Sequence, residues 1–441
     1  MPVTTAEPKG ARKFTYVFSL LLLAQALGAY AIGPVPIPWF AQTGVVALFF
    51  WLFARRQVRL FPGFSVVMVF LIWAIGTTLT NMMLEDYSLY LPPKATTPYL
   101  VYVGLRFINL LSFASAVGVT YWLLQRNQAN LLIRNLTIIG GIVALYAGYV
   151  YVAQLKGWPE LPRTRVGTSG EEQLTVFTYA FHRAMGSFRE PSHLAQWLVL
   201  PIFMSLSIKG WRGLVASLLM GAMMLLSGSL TGILSTMVGL LGAAAFNVRR
   251  LIPEIKKISR ILVPLAVASV IFSLMVSRNI EGTTNLVEVI WTRIAPVLTE
   301  KGAESTNRDY VYKYMEENPA PVWGYGLGHS NLLFSRANQL DATASFLNLY
   351  INVAYSLGVV GLLMLALLLA FPFYLYIVTR SRTGRPRVFF LLGAYLAWLL
   401  IYFVHSEELN IHFGIIYAMA VYFFGLRDWR GIMEEKESAS F

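Results

Sequence analysis

The sequence predicts an all-α polytopic membrane protein with about 12 transmembrane helices and both termini cytoplasmic. Three observations predict it. The chain of 441 residues is 56% hydrophobic and only 13% charged, whereas a soluble globular protein carries roughly 25% charged residues. Apolar runs long enough to cross the hydrocarbon recur from end to end. Most of the 35 Lys and Arg fall in alternate segments between those runs, the asymmetry that orients a membrane protein. The formal charge of +13 therefore reads as membrane orientation, and no nucleic-acid partner is expected. The absence of cysteine excludes disulfides, thiolate catalysis and Cys-ligated metals.

The first apolar run, Phe14 to Ile32, follows Lys9, Arg12 and Lys13 and resembles a signal peptide. No small-residue cleavage site stands out, and Gly33-Pro34-Val35-Pro36 leads straight into another apolar run, so it reads as a retained first helix at 14–32. Further spans are expected near 38–54, 62–84, 98–124, 131–155, 191–208, 213–227, 229–247, 261–277, 342–378, 387–405 and 409–426. The seventh is short, and the tenth is long enough to tilt or to start outside the bilayer. Residues 1–441 read as a single integral membrane domain with two large loops on the non-cytoplasmic side, 156–190 and 278–340. The two halves show no internal repeat, which counts against an inverted-repeat transporter fold.

Both large loops are basic on the side where basic residues do not help insertion, and an anionic ligand is the natural reason for keeping them there. In the longer loop, Leu286, Val287, Ile290, Ile294, Val297 and Leu298 recur at helical spacing and predict an amphipathic surface helix. A second short helix is expected from about Asn307, capped by Ser305, Thr306 or Asn307 and ending before Pro319. Behind it, Gly324-Tyr325-Gly326-Leu327-Gly328-His329 alternates glycines that let the backbone bend and approach a ligand closely. No strand precedes this stretch and no helix is expected to begin there, so it is not a dinucleotide fingerprint.

Four constellations carry candidate chemistry. In Phe188-Arg189-Glu190-Pro191-Ser192-His193, Pro191 suits the first turn of a helix, and Glu190 lies near its positive end. Arg189 stands just outside, where a guanidinium can grip a diphosphate through paired hydrogen bonds, with His182 and Arg183 nearby. The second is Asn307-Arg308-Asp309-Tyr310 on the short loop helix. The third is His329, whose neutral imidazole suits a general base. The fourth is His405-Ser406-Glu407-Glu408-Leu409-Asn410-Ile411-His412, a turn whose spacing matches no trusted metal signature. Arg106, inside the fourth span, should face the interior and a partner. Ser227-Gly228-Ser229-Leu230-Thr231-Gly232 is small and polar, suited to close helix packing. No Asp-x-Asp cluster marks an outside loop, so metal-independent chemistry without a cofactor is expected.

The run Phe188-Arg189-Glu190-Pro191-Ser192-His193-Leu194-Ala195 resembles an element of the O-antigen ligase and polymerase superfamily, the WaaL-like and Wzy-like proteins. Arg308-Asp309-Tyr310 leading to Pro321 and Gly324-Tyr325-Gly326-Leu327-Gly328 is similar to the stretch in that superfamily's large periplasmic loop. Asn348-x-Tyr350-Ile351 followed by Gly358-Val359-Val360-Gly361 looks like its approach to the next span. Three departures separate the chain from the ligases. Leu347 stands where a His is common before the Asn. Ser356 stands where an acidic residue is usual, and Ser229-Leu230-Thr231-Gly232 lacks an Arg. A Wzy-like polymerase of O-antigen, capsule or exopolysaccharide repeats is the better match, and a ligase or a lipid-linked sugar flippase the alternative.

The resemblance implies a GT-C-like glycosyltransferase architecture in the bacterial inner membrane, with the site facing the periplasm. Its donor and acceptor are polyprenyl (undecaprenyl) diphosphate-linked glycans, and a chain-length regulator and a flippase are possible partners. Catalytic roles then fall to Arg189, Arg308, His329 and Glu190. Substrate binding falls to Arg106, Arg183, His193, Gly324, Tyr325, Gly326, Gly328, Asn348, Tyr350, His405 and Glu408.

Overall fold

The computed structural model describes residues 10–58, 61–95, 97–165, 183–246, 309–379, 386–405 and 409–425. Among them, the only strands are β1 (Ala31–Ile32) and β2 (Val35–Pro36), an antiparallel pair in the first turn. Helices α1 (Ala11–Gln25), α2 (Ile37–Ala54), α3 (Pro62–Leu84), α4 (Tyr99–Gln125) and α5 (Ala129–Lys156) are followed by α6 (Pro191–Leu206), α7 (Trp211–Leu226) and α8 (Leu230–Phe246). Beyond the second large loop come α9 (Asp309–Glu317), α10 (His329–Ala337), α11 (Leu349–Val378), α12 (Pro386–Ile401) and α13 (Ile411–Gly425).

Five helices, α2, α3, α4, α5 and α11, are long and apolar enough to cross a membrane. Their outward faces carry Val69, Ile72, Leu145, Leu363 and Leu367, all more than half exposed. Stripes of bare Leu and Ile at i, i+3 and i, i+4 are what a helix presents to lipid. The chain is an all-α membrane protein in its described residues. The apolar run of the first span stops being helical at Gln25, because 26–36 turn into the small hairpin. The tenth span begins at Leu349, not 342, because Asn348 caps it: its Oδ1 accepts from the Tyr350 and Ile351 amides at 2.8 and 3.1 Å. The expected span 261–277 and the amphipathic helix of 286–298 lie outside the described residues. The short loop helix is found as α9, while its expected cap lies outside them.

Helix α12 packs against α8, and α13 packs between α4 and α12 around Phe113, Phe413, Tyr395 and Tyr417. Gly232 presses α8 onto α6, where a methyl group would lie 2.6 Å from Ala195 Cβ. The small residues of 227–232 therefore do what small residues do between membrane helices.

The loops gather at one end. Ala29 donates to the Ser187 carbonyl at 2.9 Å, Ala184 to Leu226 at 3.0 Å, Lys94 to Asp341 at 3.0 Å and Leu349 to Tyr402 at 2.9 Å. That end holds the C-termini of α1, α3, α5, α7 and α12 and the N-termini of α2, α4, α6, α8, α11 and α13.

Candidate active site

Helix α11 is broken at Gly358, whose φ of 75° and ψ of 179° belong to a region that essentially only glycine enters. A break inside an apolar helix frees carbonyls that lipid cannot satisfy. The glycine loop satisfies them. Tyr325 N donates to Tyr355 O at 3.0 Å and Gly326 N to Ser356 O at 2.7 Å, while Trp73 Nε1 on α3 donates to Leu357 O at 2.9 Å. In return, Val359 N donates to Pro321 O at 3.1 Å. The far side of the loop is held by α3: Leu327 N donates to Thr78 Oγ1 at 2.9 Å, and Asn81 Nδ2 donates to Gly324 O at 3.2 Å. Gly324, Gly326 and Gly328 all have positive φ. At Gly326 the reason is steric as well, since a methyl group would lie 2.6 Å from His329 Nδ1.

The loop ends in a helix, contrary to the sequence expectation: α10 starts at His329, with Gly328 as its left-handed N-cap. His329 is fully buried. Its Nδ1 lies 2.8 Å from the Tyr325 carbonyl and its Nε2 lies 2.8 Å from the Tyr99 hydroxyl. A carbonyl only accepts, so Nδ1 carries the proton and Nε2 receives the Tyr99 hydroxyl hydrogen. The imidazole lies flat on Tyr87, with centroids 4.1 Å apart and planes 6° apart. Burial holds its pKa below the usual histidine value of 6.5, so it is neutral at neutral pH. Burial, assisted by Glu85, pushes the Tyr87 phenol well up.

One face of α4 completes this corner. Tyr99, Tyr102 and Arg106 are spaced at i, i+3 and i+7. Tyr102 OH donates to Gly328 O at 3.3 Å, and Arg106 Nη2 donates to Tyr102 OH at 3.2 Å while its guanidinium sits 5.0 Å from the Tyr102 ring. Arg106 is thus partnered in the interior, as an intramembrane arginine should be. Beside it, Ser330 Oγ meets Ser356 Oγ at 2.6 Å, and Ser356 donates to Asn352 at 3.2 Å.

A second corner lies at the start of α6. Pro191 occupies the first turn, Glu190 precedes it, and Ser192 Oγ donates to Glu190 Oε2 at 3.2 Å. Arg189 is exposed. His193 and His405 pair with centroids 5.6 Å apart. His412 instead turns inward, 5.3 Å from Trp197 and 6.4 Å from Trp398. The first-loop arginines are tied to backbone: Arg163 donates to Gly186 O at 3.1 Å, Arg165 to Gly28 O at 3.0 Å and Arg183 to Ser227 O at 2.7 Å. Their basic excess therefore has a structural use, closing the loop over α1 and α7. Burial lowers the Arg163 pKa.

Arg308, Glu407 and Glu408 lie outside the described residues. Tyr350 uses its hydroxyl to reach Leu399 O at 2.9 Å, which joins α11 to α12. The structure thus brings together Gly324, Tyr325, Gly326, Gly328, His329 and Arg106, and separately Arg189, Glu190, His193 and His405. Sequence reasoning missed Tyr87, Tyr99 and Tyr102, although the α4 spacing was there to be read. Among the described residues no three His or acidic side chains gather as a metal site.

No curated protein matches the chain. Residues 215–366, which run from α7 through the glycine loop into α11, match the family model described as O-Antigen ligase. That match supports the resemblance of the chain to the O-antigen ligase and polymerase superfamily.

Proposed function

We propose that the chain is a membrane glycosyltransferase that polymerises lipid diphosphate-linked oligosaccharide repeats at the loop-bearing end of its bundle. The match of residues 215–366 to the O-Antigen ligase family carries the reading. A terminal hydroxyl of one lipid-linked repeat attacks the anomeric carbon of another. The bond from that carbon to the diphosphate oxygen breaks, and its electron pair leaves with the diphosphate. Arg189, exposed at the positive end of α6, is suited to bind the growing negative charge, which is where preorganised cations contribute most. Arg308 is a second candidate for that role. The hydroxyl proton passes to the Tyr99 oxygen as the Tyr99 proton moves to His329 Nε2, a route supported by the 2.8 Å hydrogen bond between them. His329 is then a positioning and proton-holding residue that acts through Tyr99. In this reading the loop-bearing end faces the periplasm, and the chain is one integral membrane domain needing no metal.

Polymerase is favoured over ligase by Leu347 and Ser356, which replace the His and the acidic residue common in ligases. Ser356 is engaged by Ser330 in a neutral hydroxyl pair. The ligase reading rests on the description of the family itself. An acceptor test separates them. With a lipid-linked repeat as the only acceptor, a polymerase yields a ladder of lengthened glycans. A ligase yields product only when lipid A–core is added.

A further inference from the structure

A cavity of about 320 Å³ opens beside the His329 corner, between the 89–93 segment and the C-terminal end of α10. That is within the size range of small-ligand sites. Tyr90, Pro92, Arg336, Gln339, Leu340 and Asp341 are among its lining residues. We propose that this cavity is a glycan subsite for an acidic sugar, with Arg336 binding the sugar carboxylate and Gln339 a neighbouring hydroxyl. The inference rests on the glycan-transfer reading and specifies the substrate class.

Charge is the first observation. The Asp341 carboxylate is taken by Lys94, at 2.5 Å. Arg336 takes part in no ion pair among the described residues. Its guanidinium lies 4.6 Å from the Tyr90 ring centroid, and the Tyr90 hydroxyl is directed to Glu85. A cation–π contact engages the face of the guanidinium carbon, and the nitrogen donors of an arginine suit bidentate binding of a carboxylate.

Backbone strain is the second, independent observation. α10 closes with Leu340 N donating to Ser335 O at 2.9 Å and Gln339 N to Arg336 O at 3.0 Å, the Schellman arrangement. Glycine is the usual residue at the left-handed position of that motif. Here Gln339 holds it, with φ of 51°, at a conformation disfavoured for any residue with a Cβ. The unfavourable choice gives the cavity an amide with both donors and an acceptor.

Continuity with the candidate active site is the third. Tyr87 and Tyr90 are eclipsed at i, i+3 on a single 3-10 turn, with ring centroids 5.7 Å apart. His329 stacks on the first with centroids 4.1 Å apart, and the Arg336 guanidinium lies 4.6 Å from the centroid of the second. His329 and Arg336 are seven residues apart on α10, about 10 Å along its axis. The cavity and the Tyr99–His329 corner are therefore joined through one turn of aromatic residues.

The test measures binding to the full-length protein in nanodiscs of neutral lipid. The probes are a tetrasaccharide of alternating glucuronate and N-acetylglucosamine and its carboxyl-reduced form. The acidic probe is expected to bind at least tenfold more tightly, with an affinity that falls as salt rises. Arg336→Gln should abolish the difference, and Arg336→Lys should restore only part of it. Gln339→Gly should weaken binding several-fold while the melting temperature stays or rises, a combination that a purely structural role for Gln339 does not produce. Equal binding of the two probes, an unchanged preference in Arg336→Gln, or a repeat unit from the producing cell with no acidic group would overturn the proposal. Failure of the glycan-transfer reading would instead appear as absence of lipid diphosphate release with every substrate, whatever these probes do.

Discussion

The imidazole of His329 lies 4.1 Å above the ring of Tyr87, nearly parallel to it, with its Nε2 aimed at the Tyr99 hydroxyl 2.8 Å away. Three segments meet in that stack: the 3-10 turn after α3, the first residue of α4 and the first residue of α10. The arrangement fixes the tautomer, because Nδ1 is committed to the Tyr325 carbonyl at 2.8 Å. Tyr99→Phe removes the hydrogen bond but keeps the ring. It should leave the melting temperature within a few degrees and lower kcat by roughly 10²-fold or more, the range for lost acid–base assistance, with KM little changed. Equal kcat in the variant and the parent would remove Tyr99 and His329 from the proton path.

The pH dependence follows from burial. The folded pKa of His329 is lowered while the unfolded value stays near 6.5. The unfolded chain therefore binds the extra proton first as pH falls. The contribution of His329 to stability is fully present above about pH 6.5 and declines as pH drops from there towards the folded pKa. Thermal unfolding in detergent between pH 8 and 5 should show this loss, and His329→Gln should flatten it. An undiminished slope in the variant would assign the loss to other groups.

The break in α11 and the glycine loop are mutual requirements. Gly358→Ala places a Cβ where the Val322 carbonyl oxygen lies 2.1 Å away, in a backbone region glycine alone tolerates. Gly326→Ala meets His329 Nδ1 at 2.6 Å with φ of 99°. Each should destabilise by about 2–4 kcal/mol, summing left-handed strain with overpacking. Gly104→Ala, which meets nothing within 4 Å, should be neutral. Melting temperatures of the three variants check the order.

Much of the bundle was legible in the sequence because lipid imposes a simple rule: long apolar runs must become helices. Hence α2 to α5 begin and end within a few residues of expectation, and Pro191 marked the start of α6. The loop chemistry was less legible. Tyr99 and His329 are 230 residues apart, and no local pattern couples them. The left-handed cap at Gly328 that starts α10 lies against Tyr102 and Arg106, distant in sequence, and the glycine run read as turn alone. Charge alone does not show that Arg163, Arg165 and Arg183 also donate to backbone carbonyls.

Glycan transfer from a lipid diphosphate is the central claim, and Arg189 is the residue whose removal isolates it. Arg189 is exposed, so Arg189→Ala should leave the fold intact. The most direct measurement mixes the purified protein in nanodiscs with polyprenyl diphosphate-linked repeats, without added metal. Free polyprenyl diphosphate is counted while glycans are resolved by size. The account predicts a ladder of lengthened glycans matched by lipid diphosphate release, both falling by about 10²-fold or more in Arg189→Ala. Release and ladder that persist undiminished in Arg189→Ala, or no release from the producing cell's own lipid-linked repeat by a folded protein, would contradict it.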